Sequence, residues 1–136
     1  MRRALGAAIL ALAVLAAACG STAPTAYNVV DSYIAAIGEG NWSNACGLLD
    51  HGARASLHGP CQKVFARCLP NQAAALARDQ TQQLYANIDL TTTGNTAVAV
   101  LSGTAVARTV RSVTLAEQGG NWHLTSPGAK LQRCAR

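Results

Sequence analysis

The side chains best equipped for chemistry in this sequence are five thiols, Cys19, Cys46, Cys61, Cys68 and Cys134. Thiols can attack carbonyls, ligate metals or pair into disulfides. A zinc site would draw on His51 and His58, yet their spacing from the cysteines matches none of the zinc-ligand signatures. The chain carries no phosphate-cradling glycine motif, no nucleophile elbow and no paired-carboxylate arrangement. No residue is therefore assigned as catalytic, and no metal or cofactor is expected. Disulfides remain, but five is an odd number, so one sulfur has another use.

The first residues supply that use. Arg2 and Arg3 form a positive start, Ala4 to Leu15 an apolar stretch, and Ala16-Ala17-Ala18 a run of small residues before Cys19. A dozen apolar residues are too few to cross about 30 Å of hydrocarbon, but they suit the apolar core of an export signal. Leu15-Ala16-Ala17-Ala18-Cys19 resembles the lipobox of bacterial lipoproteins, with Leu15 one place further from the cysteine than is usual. The resemblance implies cleavage before Cys19, acylation of its sulfur, and a domain held by membrane lipid on the extracytoplasmic face of the cell membrane. Each buried methylene of an acyl chain contributes about 0.8 kcal/mol, and two or three chains make a durable anchor. Taking Cys19 out of the thiol pool leaves Cys46, Cys61, Cys68 and Cys134, enough for two bridges. The expected organisation is a signal peptide over 1–18, a lipidated flexible tether over 19–26 and one folded domain over 27–136.

The 136 residues include 11 Lys or Arg and 6 Asp or Glu. Arg54, Lys63, Arg67, Arg78, Arg108 and Arg111 are scattered, and Lys130, Arg133 and Arg136 form only a loose group near the end. No run of like charge marks a nucleic-acid surface, so no nucleic-acid partner is expected.

Two periodicities divide the folded part. Tyr27, Val30, Ile34 and Ile37 recur at three- and four-residue steps, which predicts an amphipathic helix ending at Gly38. Asn41 then serves as the N-cap of a second helix bearing Trp42, Ala45, Cys46 and Leu49. Ala53 to Gly59 reads as a short helical or loop passage. Pro60 suits the first position of a helix that places Cys61, Val64, Phe65 and Cys68 on one face and stops at Pro70. An alanine-rich helix follows from Gln72 to about Gln82. From Leu84 the period is two: Leu84, Ala86, Ile88 and Leu90 alternate with polar residues. Thr93-Gly94-Asn95 marks a turn, and Thr96 to Leu101 a second strand. Thr104 to Ala116 reads as a third, with a bulge near Arg111-Ser112 where its phase slips. Gln118-Gly119-Gly120 is a hairpin turn into a last strand carrying Trp122 and Leu124. Helices followed by about four antiparallel strands make an α+β fold.

Helix geometry restricts the disulfides. Cys61 and Cys68 are separated by about 10.5 Å of helical rise, whereas bridged Cα atoms lie within about 7 Å. Two pairings stay open: Cys46–Cys61 with Cys68–Cys134, or Cys46–Cys68 with Cys61–Cys134. The first is favoured, because a short turn can bring the second helix back to the start of the Pro60 helix.

The order of parts resembles the cystatin-like, nuclear-transport-factor-2-like superfamily, and within it small exported actinobacterial lipoproteins. The resemblance is carried by Gly-Glu-Gly-Asn-Trp from Gly38, Asn-Ala-Cys-Gly-Leu-Leu from Asn44, Cys61, and the closing Gly-Gly-Asn-Trp-His-Leu from Gly119. Cys68 and Cys134 are additions to its pattern. It implies a curved sheet wrapped over helices as a cone with room for an apolar ligand. Enzymes of the superfamily move protons with an Asp or His in that cone beside a Tyr or Asp donor, as a base and a developing oxyanion require. The corresponding candidates here are Asp31, Asp89, His123, Tyr33 and Tyr85, with Asp89–His123 the conceivable pair. The expected function is a non-catalytic, membrane-anchored domain that binds an apolar small molecule or an envelope partner protein. The alternatives are an interaction module using the exposed strand face of Tyr85, Asn87, Asp89 and Thr91, or an isomerase- or dehydratase-like enzyme.

Overall fold

The structure is a computed structural model and describes residues 24–136. The expected signal segment, Cys19 and the tether up to residue 23 lie outside the described residues. Within them the fold is α+β, with N-terminal helices packed on a four-stranded antiparallel sheet that is not strongly curled.

Helix α1 (Ala26–Gly38) starts at Thr25, whose hydroxyl accepts from the Asn28 amide at 3.2 Å. Its buried stripe is Val30, Tyr33, Ile34 and Ile37, the i, i+3, i+4, i+7 pattern of a core-facing helix. Tyr27, expected on that stripe, points outward at 46% exposure. Gly40, at φ +69, makes the turn into α2 (Trp42–Leu48), and Asn41 caps it by accepting from the Asn44 amide. Asp50 caps α3 (His51–Ala55), a five-residue helix that starts two residues ahead of the short helical or loop passage expected from Ala53. Pro60 stands as the N-cap of α4 (Cys61–Cys68), one place before the position expected for it. Helix α5 spans Gln72–Thr81.

The sheet comprises β1 (Asn87–Thr93), β2 (Thr96–Ser102), β3 (Ser112–Gln118) and β4 (Asn121–Leu124), in that spatial order. Strand β1 begins three residues later than the alternation from Leu84 suggests. Gln83 turns the chain at φ +53, and Leu84 and Tyr85 are left exposed ahead of the strand. Gly94 and Gly119-Gly120 supply the positive φ that tight hairpins need.

The main departure lies between β2 and β3. Residues expected to form one long bulged strand instead form α6 (Ala105–Val110) and then β3. Val106 and Val110 are four apart, a spacing that fits one face of a helix as well as one face of a strand. Helix wins here because its amino end is satisfied twice. The Thr104 hydroxyl accepts from the Ala107 amide at 3.0 Å. The buried Asp79 carboxylate, reaching from α5, accepts from the Ala105 and Val106 amides at 2.9 and 3.2 Å. A further helix absent from the sequence reading, α7 (Ala129–Cys134), ends the fold.

One face of the sheet (Ala97, Ala99, Leu101, Val113, Leu115 and Leu124) is buried beneath the helices. Val30, Tyr33, Ile37 and Phe65, each with no exposed surface, belong to the same core. The sulfurs are paired Cys46–Cys61 and Cys68–Cys134, with Cα separations of 6.0 and 5.9 Å. The two bridges hold opposite ends of α4, one to α2 and the other to α7.

Candidate functional site

Of the five acid–base candidates, Asp31 and Tyr85 border one crevice, between α1, α5 and the segment before β1, while Asp89, His123 and Tyr33 lie elsewhere. Asp89 is on the outer face of β1, opposite Val100, which is in turn opposite Ser112. His123 is on β4, level with Ala116, Thr96 and Thr93. Three strand spacings and four residues of offset therefore separate them, about 14 Å across the sheet and about 13 Å along it. The conceivable Asp89–His123 pair does not form. Tyr85 is 86% exposed. Asp31 is exposed on α1, and His51 and His58 are exposed on and just after α3.

Tyr33 is the candidate whose position is most fully determined, and its role is structural. Its ring stands edge-on to Phe65, with centroids 6.2 Å apart, and its hydroxyl donates to the Pro127 carbonyl at 2.7 Å. Burial pushes the phenol far above its ordinary pKa, so it stays protonated and committed to Pro127. Tyr33→Phe should lose about 1–2 kcal/mol in urea unfolding, because the Pro127 carbonyl is left buried without its donor. A variant as stable as the parent would show that this hydrogen bond adds nothing.

Three surfaces have the concavity or exposure to receive a ligand. A small crevice of about 190 Å³ opens between α1, α5, α6 and the segment before β1, lined by Ile34, Leu76, Leu84, Ala86 and Val106 with Asp31 and Asp79 at hand. Sites for drug-sized ligands run to about 300–1,000 Å³, so this one admits only a short apolar group. The outer sheet face is broader. Val98 and Val100 stand about half exposed at its centre, between Asp89 and Thr91 on β1 and Ser112 and Thr114 on β3. At one end of that face a wider, open cleft of about 670 Å³ is bordered by Arg108, Arg111 and Ser112.

Val98 and Val100 were visible in the sequence only as members of an apolar run, Ala97 to Leu101. A run apolar at every position does not say which residues face out, whereas the register does. Arg108 and Arg111 were legible as charges, but only the helix at 105–110 brings them to one cleft. Nothing local in the sequence marks Asp79, since its partners lie about 26 positions along the chain.

No family model, curated protein or solved structure matches the chain.

Proposed function

We propose that this chain is an exported lipoprotein of the nuclear-transport-factor-2-like superfamily. On this reading Cys19 anchors it in the membrane, and its folded part is a non-catalytic module that docks a protein of the cell envelope. The observation that carries the docking role is the contrast between the two sheet faces. The inner face joins Tyr33, Ile37 and Phe65 in one buried core, while the outer face presents Val98 and Val100 to solvent. On this reading the weakly curled sheet leaves no open cone, its inner face is covered by the domain's own helices, and recognition moves to the other side of the sheet. The separation of Asp89 from His123 across the sheet supports a role without acid–base chemistry between them.

Export is supported by the bridges, because disulfides form and persist in oxidising compartments. Pairing of Cys46, Cys61, Cys68 and Cys134 also leaves Cys19 as the odd sulfur, which supports its acylation. Metabolic labelling with an alkynyl fatty acid tests that step: Cys19→Ser should abolish incorporation. Incorporation that persists in Cys19→Ser would refute the anchor.

Docking is tested by a photo-crosslinking residue placed at Val100 in intact cells, with Ala73 on the exposed side of α5 as the comparison site. A discrete adduct is expected at position 100 alone, and it should vanish with Val98→Asp. Equal labelling at both sites, or an adduct indifferent to Val98→Asp, would overturn the docking face. A second reading, an apolar molecule in the α1–α5 crevice, is favoured by the lining of Ile34, Leu76 and Val106. Native mass spectrometry of the extracted protein, showing a retained small molecule, would select it.

A further inference from the structure

We infer that the cleft between α6 and the start of β3 binds a phosphoryl group carried on an apolar stem. Arg108, Arg111 and Ser112 border this open cleft together with Val100 and Leu101. Both arginines are exposed, and among the described residues neither guanidinium pairs with a carboxylate. Asp89, the acidic residue of the outer sheet face, is two strand spacings from Ser112, about 10 Å between backbones.

The backbone at Arg111 points the same way. Its φ of 70° and ψ of −61° place it in the positive-φ γ-turn region, a rare and strained conformation for a residue with a Cβ. Its amide closes α6 onto the Ala107 carbonyl at 2.9 Å, and its carbonyl accepts from the Leu101 amide at 2.7 Å. Glycine adopts positive φ without that cost, and it occupies such positions at Gly40, Gly94, Gly103, Gly119, Gly120 and Gly128. At 111 the geometry favours glycine and the sequence has arginine. Strain of this kind, of order 1–3 kcal/mol, persists where the side chain has work of its own and the surroundings hold it in place.

The ligand class follows from the donors. Each guanidinium is a planar fork that meets oxyanions with two parallel hydrogen bonds. A carboxylate has two oxygens and one charge and satisfies one fork. Two forks and the Ser112 hydroxyl match the three terminal oxygens and the higher charge of a phosphoryl group. The carboxyl end of α6 adds a partial negative charge of at most about one half, which two full positive charges outweigh. Val100, with Val98 two residues along the same strand face, offers the stem an apolar track out of the cleft. The inference is independent of the docking role, since it needs neither an acylated Cys19 nor a protein partner.

The phosphoryl group can belong to a soluble metabolite or to a lipid headgroup, and titration separates the two. The full chain in neutral detergent micelles is titrated with glycerol phosphate, and separately with phosphatidic acid, which carries the same three-oxygen phosphomonoester, with phosphatidylcholine as the zwitterionic control. Saturable shifts of the Arg108 and Arg111 Nε–H resonances are expected. A response to both anionic probes supports recognition of the phosphoryl group itself, a response only to phosphatidic acid supports a lipid whose stem is required, and a response only to glycerol phosphate overturns the apolar stem. No saturable shift with either, or an equal response to phosphatidylcholine, overturns the site. Arg111→Gly removes the guanidinium while relieving the backbone, so it should hold or raise the thermal midpoint and weaken binding about tenfold or more. Arg108→Gln should weaken binding similarly without the gain in midpoint. Undiminished binding by Arg111→Gly overturns the inference, whatever its stability.

Discussion

Replacing Cys68 and Cys134 together by serine should lower the unfolding free energy by about 4 kcal/mol, against about 3 kcal/mol for the Cys46 and Cys61 pair. The difference comes from loop length. The first bridge closes 66 residues of the unfolded chain and the second only 15, and loop-closure entropy grows with the logarithm of that number. A domain of this size has about 5–15 kcal/mol in hand, so either loss is a large fraction of the whole. The long bridge also holds α7, a six-residue helix with no side-chain cap, against the rest. Urea unfolding under oxidising conditions measures both variants. A loss below about 1 kcal/mol for the Cys68–Cys134 pair would mean that the unfolded chain is already compact enough to make the link redundant.

Asp79→Ala should cost about 3 kcal/mol, from two charge-assisted hydrogen bonds lost at once. The carboxylate is 4% exposed and accepts from the first two amides of α6, so its removal strands both donors at a site with little water. Asp79→Asn keeps one acceptor oxygen and should cost about half as much. Hydrogen exchange gives the local signature: the Ala105 and Val106 amides should lose protection before those of β2 do. An alanine variant with parental stability would show that Thr104 alone suffices to start the helix.

The same two interactions explain which parts of the fold could be read from the sequence. Elements whose stability is decided within a few residues were legible. The end of α1 at Gly38, the Asn41 cap and the Gly94 and Gly119-Gly120 hairpins all follow from neighbours in sequence. Helix α6 was not, because one of its two caps comes from Asp79 on another helix, and its six residues hold too little pattern to outvote β-branched Val106, Thr109 and Val110. Helix α7 is illegible for a similar reason: it is secured by a disulfide whose partner lies 66 positions away. The acid–base candidates failed differently. Asp89 and His123 were correctly placed on strands, but strand order and offset, which no local signal carries, keep them apart. The arginine cleft was hidden until α6 and the turn at Arg111 brought two scattered charges to one place.

The two bridges also decide what a protease can do to this molecule. Between Cys46 and Cys134, a single cut in the 47–60 segment or anywhere in 69–133 leaves both fragments covalently joined. Only a cut within α4, between Cys61 and Cys68, falls outside both loops and lets the halves part. That stretch is one short helix whose Val64 and Phe65 are buried in the core, so the scissile bonds that matter are the ones least able to enter an enzyme's cleft. Nicked protein should therefore migrate as one species on a gel until the sample is reduced.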